Sequence, residues 1–300
     1  MRNILFGIAA PMLLTAISCT SVSQKTTSAE TQKAKVDERI ITIPNERTTS
    51  ESKAGILYGK IYEPCDEERH PAVILSHGYN GCFTDFADDC LFFAENGFIA
   101  FSYDFAGGSM RSKSTGRTTD MTLQTEKQDL LTVIEYIRNL ENVDANQLFL
   151  LGGSQGGLVT ALAAEEEAEA IRAITLYYPA FCIPDDWRKQ YPKGAKIPKT
   201  VDFWGLRLGK EFIESATALD VNEATGKYTN PVLIIHGTND NIVQLSYAQA
   251  AQKNYQNAKL VVLPGEGHGF SPNGAAQARK MVLDYMKKIL KTTEQNNNGN

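Results

Sequence analysis

Ser154 stands in the run Gly152-Gly153-Ser154-Gln155-Gly156-Gly157, directly behind the apolar stretch Leu148-Phe149-Leu150-Leu151 and ahead of a helical segment that begins near Leu158. A strand that breaks into a tight turn with the pattern G-x-S-x-G, then restarts as a helix, presents its serine as a nucleophile. The glycines on either side have a steric reason, because side chains there would collide with the neighbouring strand or helix. A serine hydroxyl attacks only when a base takes its proton, and the base needs an acid to orient it. Four histidines are available. His70 precedes Pro71 ahead of a strand, His77 lies in Ser76-His77-Gly78-Tyr79-Asn80-Gly81 and reads as a brace for that loop, and His236 ends a strand. His268 lies in Pro264-Gly265-Glu266-Gly267-His268-Gly269-Phe270, a loop after the final strand, and is the expected base.

The acid belongs between Ser154 and His268, in the chain order serine, acid, histidine. Asp240 follows the apolar run Val232-Leu233-Ile234-Ile235 through His236-Gly237-Thr238-Asn239 and is the expected acid. Glu266 competes but sits two residues from the histidine and reads as a surface carboxylate; Asp202 and Asp220 are weaker candidates in an inserted segment. The oxyanion of a tetrahedral intermediate needs preorganised donors. The backbone N–H of Gln155, at the start of a helix, and that of Tyr79, in the loop after Ala72-Val73-Ile74-Leu75, are the expected pair.

The elements that must position these residues are legible as a pattern. Short continuous apolar runs at 72–75, 98–101, 148–151, 171–176, 232–235 and 260–263 read as strands buried on both faces. Helix-period segments at 85–96, 121–140, 157–169, 246–255 and 274–290 alternate with them. Two earlier strands, Arg39 to Ile43 and Gly55 to Tyr62, suit an antiparallel opening. The expectation is an α/β fold: a mostly parallel central sheet with helices on both faces. Residues 179–230 interrupt the alternation with roughly 50 residues where about 4 to 6 are usual. That segment holds Trp187, Trp204 and Phe181. It reads either as a packing lobe or as a cap over the carboxyl edge of the sheet, where such folds bind ligands; the cap is the reading adopted, with those three aromatics as candidate substrate contacts.

Composition sets outer bounds. Three hundred residues, 42% hydrophobic and 22% charged, suit one large soluble domain, expected over residues 37–291. A net charge of −5, with basic residues scattered, argues against a nucleic-acid partner. Residues 1–18 read as a signal peptide: a positive start, then an apolar stretch of about 14 residues, short of the roughly 20 that span a membrane. Residues 19–36 read as a flexible tether and 292–300 as a disordered polar tail. The remaining cysteines, Cys65, Cys82, Cys90 and Cys182, read as buried free thiols, with a Cys82–Cys90 bridge as the alternative. No spacing suggests a metal, no cofactor is required, and the oligomeric state is left open.

Two resemblances extend this reading. Ala16-Ile17-Ser18-Cys19 resembles the lipobox of bacterial lipoproteins, with alanine where leucine is usual; it implies lipidation at Cys19, export, and a membrane link through that anchor alone, in the periplasm or at the cell surface. The order His77-Gly78, the Ser154 turn, His236-Gly237 to Asp240, and Gly267-His268 resembles the α/β-hydrolase superfamily over about residues 40–290. Within it, His77-Gly78-Tyr79-Asn80-Gly81, Ser154-Gln155-Gly156-Gly157 and the run from Lys227 to Gly237 resemble the bacterial feruloyl (cinnamoyl) esterases, although Gly153 replaces the histidine usual before the nucleophile. Tyr103 to Ser109 also has a superfamily counterpart of structural character. The resemblance implies a serine esterase acting through an acyl-enzyme on feruloyl, cinnamoyl or acetyl esters of plant polysaccharide. The rivals are a serine peptidase of the prolyl-oligopeptidase type and a catalytically silent binding protein of the same fold.

Overall fold

Four of the parallel strands carry their apolar residues in unbroken buried runs because both faces of the sheet are covered there. The computed structural model describes residues 33–50 and 53–298. The expected signal peptide and the expected lipidation site, Cys19, lie outside those residues. Strands β1 (Val36–Ser50), β2 (Lys53–Pro64), β3 (His70–Ser76), β4 (Ile99–Tyr103), β5 (Val143–Gly153), β6 (Ile171–Tyr177), β7 (Thr200–Phe203), β8 (Leu206–Gly209), β9 (Val232–Gly237) and β10 (Ala258–Leu263) follow in chain order. Eight of them form one sheet in the order β1-β2-β4-β3-β5-β6-β9-β10. The first two pairings, β1 with β2 and β2 with β4, are antiparallel, and the rest are parallel. β7 and β8 pair separately as a hairpin.

Helices α1 (Ala87–Glu95), α2 (Leu123–Arg138), α3 (Gln155–Glu166), α4 (Ile183–Gln190), α5 (Lys210–Ala218), α6 (Val221–Ala224), α7 (Leu245–Asn254) and α8 (Pro272–Asn298) fill the connections. Alternation along β3 divides its side chains between two cores: Ala72 and Ile74 pack with Leu130, Ile134 and Leu158 of α2 and α3, whereas Val73 and Leu75 pack with Phe93, Val282 and Met286 of α1 and α8. Each such buried aliphatic side chain contributes about 1.5–3 kcal/mol relative to exposure. The α1 and α8 layer also holds an ion pair, Arg279 to Asp89 at 3.4 Å. Burial outweighs that arginine and pushes the Asp89 carboxyl up to about 6.

Two boundaries expected from sequence move. Lys33 and Ala34, within the tether expected over 19–36, are fixed through Lys33 Nζ to Glu95 at 2.6 Å and Ala34 N–H to the Glu95 carbonyl at 2.9 Å; the expected tether before Lys33 lies outside the described residues. The tail expected to be disordered from 292 continues α8 to Asn298. Once a helix is nucleated on packed residues such as Val282 and Met286, each further residue adds one hydrogen bond at little cost, and no Gly or Pro interrupts the run from Leu290 to Asn298. Between β6 and β9 the inserted segment builds α4, the β7–β8 hairpin, α5 and α6. Its own apolar residues, among them Trp187, Leu206, Leu208 and Phe212, join the α2 and α3 core, so it is seated on the carboxyl edge of the sheet.

Candidate active site

β5 ends at Gly153 and α3 begins at Gln155, leaving Ser154 alone at φ 54°, ψ −121°. That is a conformation costly for a residue with a side chain, and four backbone bonds impose it. The Ser154 N–H donates to the Tyr177 carbonyl at 2.9 Å, and the Ser154 carbonyl accepts from Gly157, Leu158 and Ala180 at 3.0, 3.3 and 2.9 Å. The flanking glycines are steric requirements: a Cβ on Gly152 would lie 2.2 Å from the Gly156 oxygen, and one on Gly156 would lie 2.3 Å from the carbonyls of Ser76 and His77.

Three of the expected residues meet in one relay. His268 Nε2 lies 2.9 Å from Ser154 Oγ, and His268 Nδ1 lies 2.8 Å from Asp240 Oδ2. The carboxylate only accepts, so Nδ1 carries the proton and the Nε2 lone pair faces the serine hydroxyl. Asp240 is fully buried at its side chain, and its Oδ1 accepts the N–H groups of Ile242 and Val243 at 2.9 and 2.8 Å. Tyr178, at φ 35° after β6, packs its ring 4.6 Å from that of His268 and 4.7 Å from that of Phe270. Nothing in the order of residues marks this support, since Tyr178 meets the base only through the fold.

The other acids and histidines have structural partners. Glu266 accepts the Ser271 N–H and hydroxyl at 2.6 and 2.7 Å at the start of α8. Those bonds hold its carboxyl below the usual range. Asp220 caps α6, and Asp202 pairs with Arg207 on the hairpin. His70 bonds Asp66 at the far end of β3. His77 is buried, donates Nδ1–H to the Gly78 carbonyl at 2.7 Å and accepts the Phe105 N–H at Nε2 at 3.2 Å, as a brace should. Burial pushes its pKa down, which keeps it neutral. Asp104 likewise anchors loops, accepting the N–H groups of Phe83 and Lys113 at 2.7 Å each. The four cysteines are free; Cys82, Cys90 and Cys182 are buried as expected, but Cys65 is exposed, because it follows the end of β2.

The two expected oxyanion donors flank the serine. Gly78 approaches so closely that a Cβ on it would lie 3.1 Å from Ser154 Cβ, and the next residue, Tyr79, lines the same cavity as Ser154. Gln155 supplies the first amide of α3, while its buried side chain turns away and donates to Glu126 at 2.7 Å. Tyr79, Ser154 and Gln155 line a largely apolar cavity whose other side is mostly the inserted segment.

Trp187 and Trp204 both line that cavity, in different ways. Trp187 is 4% exposed and stacks with Tyr191 inside the cap, whereas Trp204 is 61% exposed at the hairpin turn. Trp204 also borders the cleft on the other side of Ser154, where His268 and Tyr178 are. Phe181, the third expected contact, is not in the cavity. Its N–H turns back to the Pro179 carbonyl at 2.8 Å, and its ring is buried in the core and borders a separate groove beside α7. Sequence reading missed Asp186, which brings a carboxylate from α4 to the cavity next to Gln190 and the Cys182 thiol. Burial and the hydrogen bond to Asp186 push that thiol up to about 12.

Comparison with known proteins places this chain among ester hydrolases. The prolyl oligopeptidase family profile matches residues 84–293. Caffeoylshikimate esterase of Arabidopsis thaliana is 26% identical over 291 residues, covering 83% of this chain and 86% of that protein. A bifunctional esterase/perhydrolase of Acinetobacter calcoaceticus is 30% identical over 104 residues, 31% of this chain and 37% of that one. Among solved structures, Est1E of Butyrivibrio proteoclasticus with bound ferulic acid superposes with a TM-score of 0.70 at 28% identity, over 79% of this chain and 96% of that one.

Proposed function

From the premise that this chain belongs to the prolyl oligopeptidase family and is an α/β hydrolase of esterase type, we propose that it cleaves hydroxycinnamate esters, such as feruloyl esters of plant polysaccharide, through an acyl-enzyme on Ser154. The observation that carries this reading is the unbroken relay from Ser154 through His268 to Asp240 at the mouth of an aromatic cavity. Ferulic acid bound to the Est1E structure supports the acyl group.

In this mechanism the hydroxycinnamoyl chain enters the cavity beside Trp187 and Trp204, and the ester carbonyl lies over Ser154. His268 Nε2 takes the hydroxyl proton as Oγ attacks. Asp240 stabilises the imidazolium that forms, and the N–H groups of Tyr79 and Gln155 hold the oxyanion. The imidazolium then protonates the departing alcohol oxygen, leaving an acyl-serine. Water, deprotonated by the same nitrogen, attacks that ester and releases the acid. A phenolic hydroxyl on the acyl group donates to Asp186. We also infer that the protein is exported and held to a bacterial envelope by lipid at Cys19; the mass of the mature amino terminus tests that separately.

The deciding experiment measures the purified protein against methyl ferulate, 4-nitrophenyl acetate and a proline-containing peptide amide. The expected result is the highest kcat/KM on methyl ferulate, with the amide uncut. A preference for the amide, or no turnover of any ester, overturns the proposal.

A further inference from the structure

His236 plays no part in the steps above, yet it is the penultimate residue of β9 and lies directly behind the acid. Its side chain is fully buried, with Nε2 2.9 Å from the Val243 carbonyl and 3.3 Å from Asp240 Oδ2. The carbonyl only accepts, so Nε2 carries the hydrogen and donates it to Val243, with the carboxylate oxygen close beside that N–H. Its other nitrogen, Nδ1, is buried with no hydrogen-bond partner. A residue kept for packing alone would be better served by leucine, which leaves no orphaned acceptor.

With this contact the Asp240 carboxylate is surrounded. Oδ1 receives the amides of Ile242 and Val243, Oδ2 receives His268 Nδ1–H, and His236 Nε2 lies 3.3 Å from the same Oδ2. We propose that His236 is a positioning residue: its neutral imidazole, fixed by the Val243 carbonyl, packs against Asp240 Oδ2, keeps that oxygen in line with His268, and through its N–H dipole stabilises the carboxylate's charge. Neutrality is essential to the role, since a charged imidazolium would compete with His268 for the same oxygen. Burial keeps the His236 proton affinity low, against the smaller opposing pulls of the Val243 carbonyl and Asp240, and His268 adds a lesser push in the same direction as burial. The other titratable groups turned toward this cluster are the phenol of Tyr178 after β6 and the thiol of Cys182 at the start of the cap. Burial pushes both upward, so neither ionises in the working range.

The inference rests on the triad proposed above, and the test separates the two. Steady-state hydrolysis of methyl ferulate is followed from pH 5 to 9 for the wild type and for His236→Leu, His236→Asn and His236→Gln. Gln carries its amide nitrogen where Nε2 was, whereas the Asn nitrogen is too short to reach Asp240. In His236→Leu and His236→Asn, kcat is expected to fall about tenfold, for loss of the N–H dipole beside the Asp240 carboxylate, with KM within twofold. The acid limb of kcat/KM is expected to move to higher pH, because Asp240 without this donor holds the His268 proton more tightly. His236→Gln is expected to restore both. If His236→Leu does not fold, the Asn and Gln pair decides. An unmoved or downward-moved limb, an unchanged kcat, or a loss that Gln does not restore assigns His236 a packing role and overturns the inference. A wild type without ester turnover overturns the proposed function instead.

Discussion

The phenol of Tyr79 donates to the Phe203 carbonyl at 2.7 Å. This bond joins the loop that brings an oxyanion donor to Ser154 with the strand that leads into the cap turn, and the Tyr79 ring meets those of Phe203 and Trp204 edge-on at 5.6 and 6.4 Å. Cap and oxyanion loop are therefore one mechanical unit. Tyr79→Phe keeps the ring and the backbone amide and removes only the tie. The lost bond is of the order of 0.5–1.5 kcal/mol, so kcat/KM on methyl ferulate is expected to fall about three- to tenfold. Unchanged kinetics would mean that the amide is held without the cap.

Asp186 is the one carboxylate in the cavity beside Ser154. If it accepts a phenolic hydroxyl, its removal should matter only for substrates that carry one. Asp186→Ala is expected to lower kcat/KM on methyl 4-hydroxycinnamate about tenfold and leave methyl cinnamate within twofold. Equal losses on both esters would place Asp186 in the support of α4 instead.

Much of this site could be read from the chain because the reaction imposes an order on it. The turn around Ser154 needs glycine on both sides, the acid must follow a strand, and the base must follow the last strand; Gly156, Asp240 and His268 satisfy those demands by sequence position alone. Sheet strands were equally legible, since β3, β4, β6 and β9 are buried along nearly their whole length and read as apolar runs. What escaped depends on contacts between residues remote in sequence. Tyr79 and Phe203 are 124 positions apart, and His236 looks like the end of a strand until Asp240 folds back against it. Phe181 and Trp187 are both cap aromatics in the sequence; only the turn after Pro179 sends the first into the core and leaves the second at the cavity. The β7–β8 hairpin escaped because its strands have only four residues each.

Asp89 gives the fold a defined response to acid. Its folded-state value of about 6 lies above the ordinary aspartate range, so the folded chain binds this proton more tightly than the unfolded one. Its contribution to stability is therefore full below about pH 4 and lost as pH rises through about 6, amounting to no more than about 3 kcal/mol. The Asp89→Asn variant cannot respond in that way. The thermal midpoint of the wild type minus that of the variant is expected to grow as pH falls from 7 to 4.5; a constant difference would show that Asp89 is ionised throughout, matched to Arg279.

Everything assigned to the site depends on Ser154 being the attacking group. The most direct measurement compares hydrolysis of methyl ferulate by the wild type and by Ser154→Ala, with circular dichroism confirming that both are folded. The expected result is a loss of kcat of at least about 10³-fold, because no other group stands 2.9 Å from His268 Nε2 to take over the attack. Turnover by the folded alanine variant within tenfold of the wild type would contradict the acyl-enzyme on Ser154.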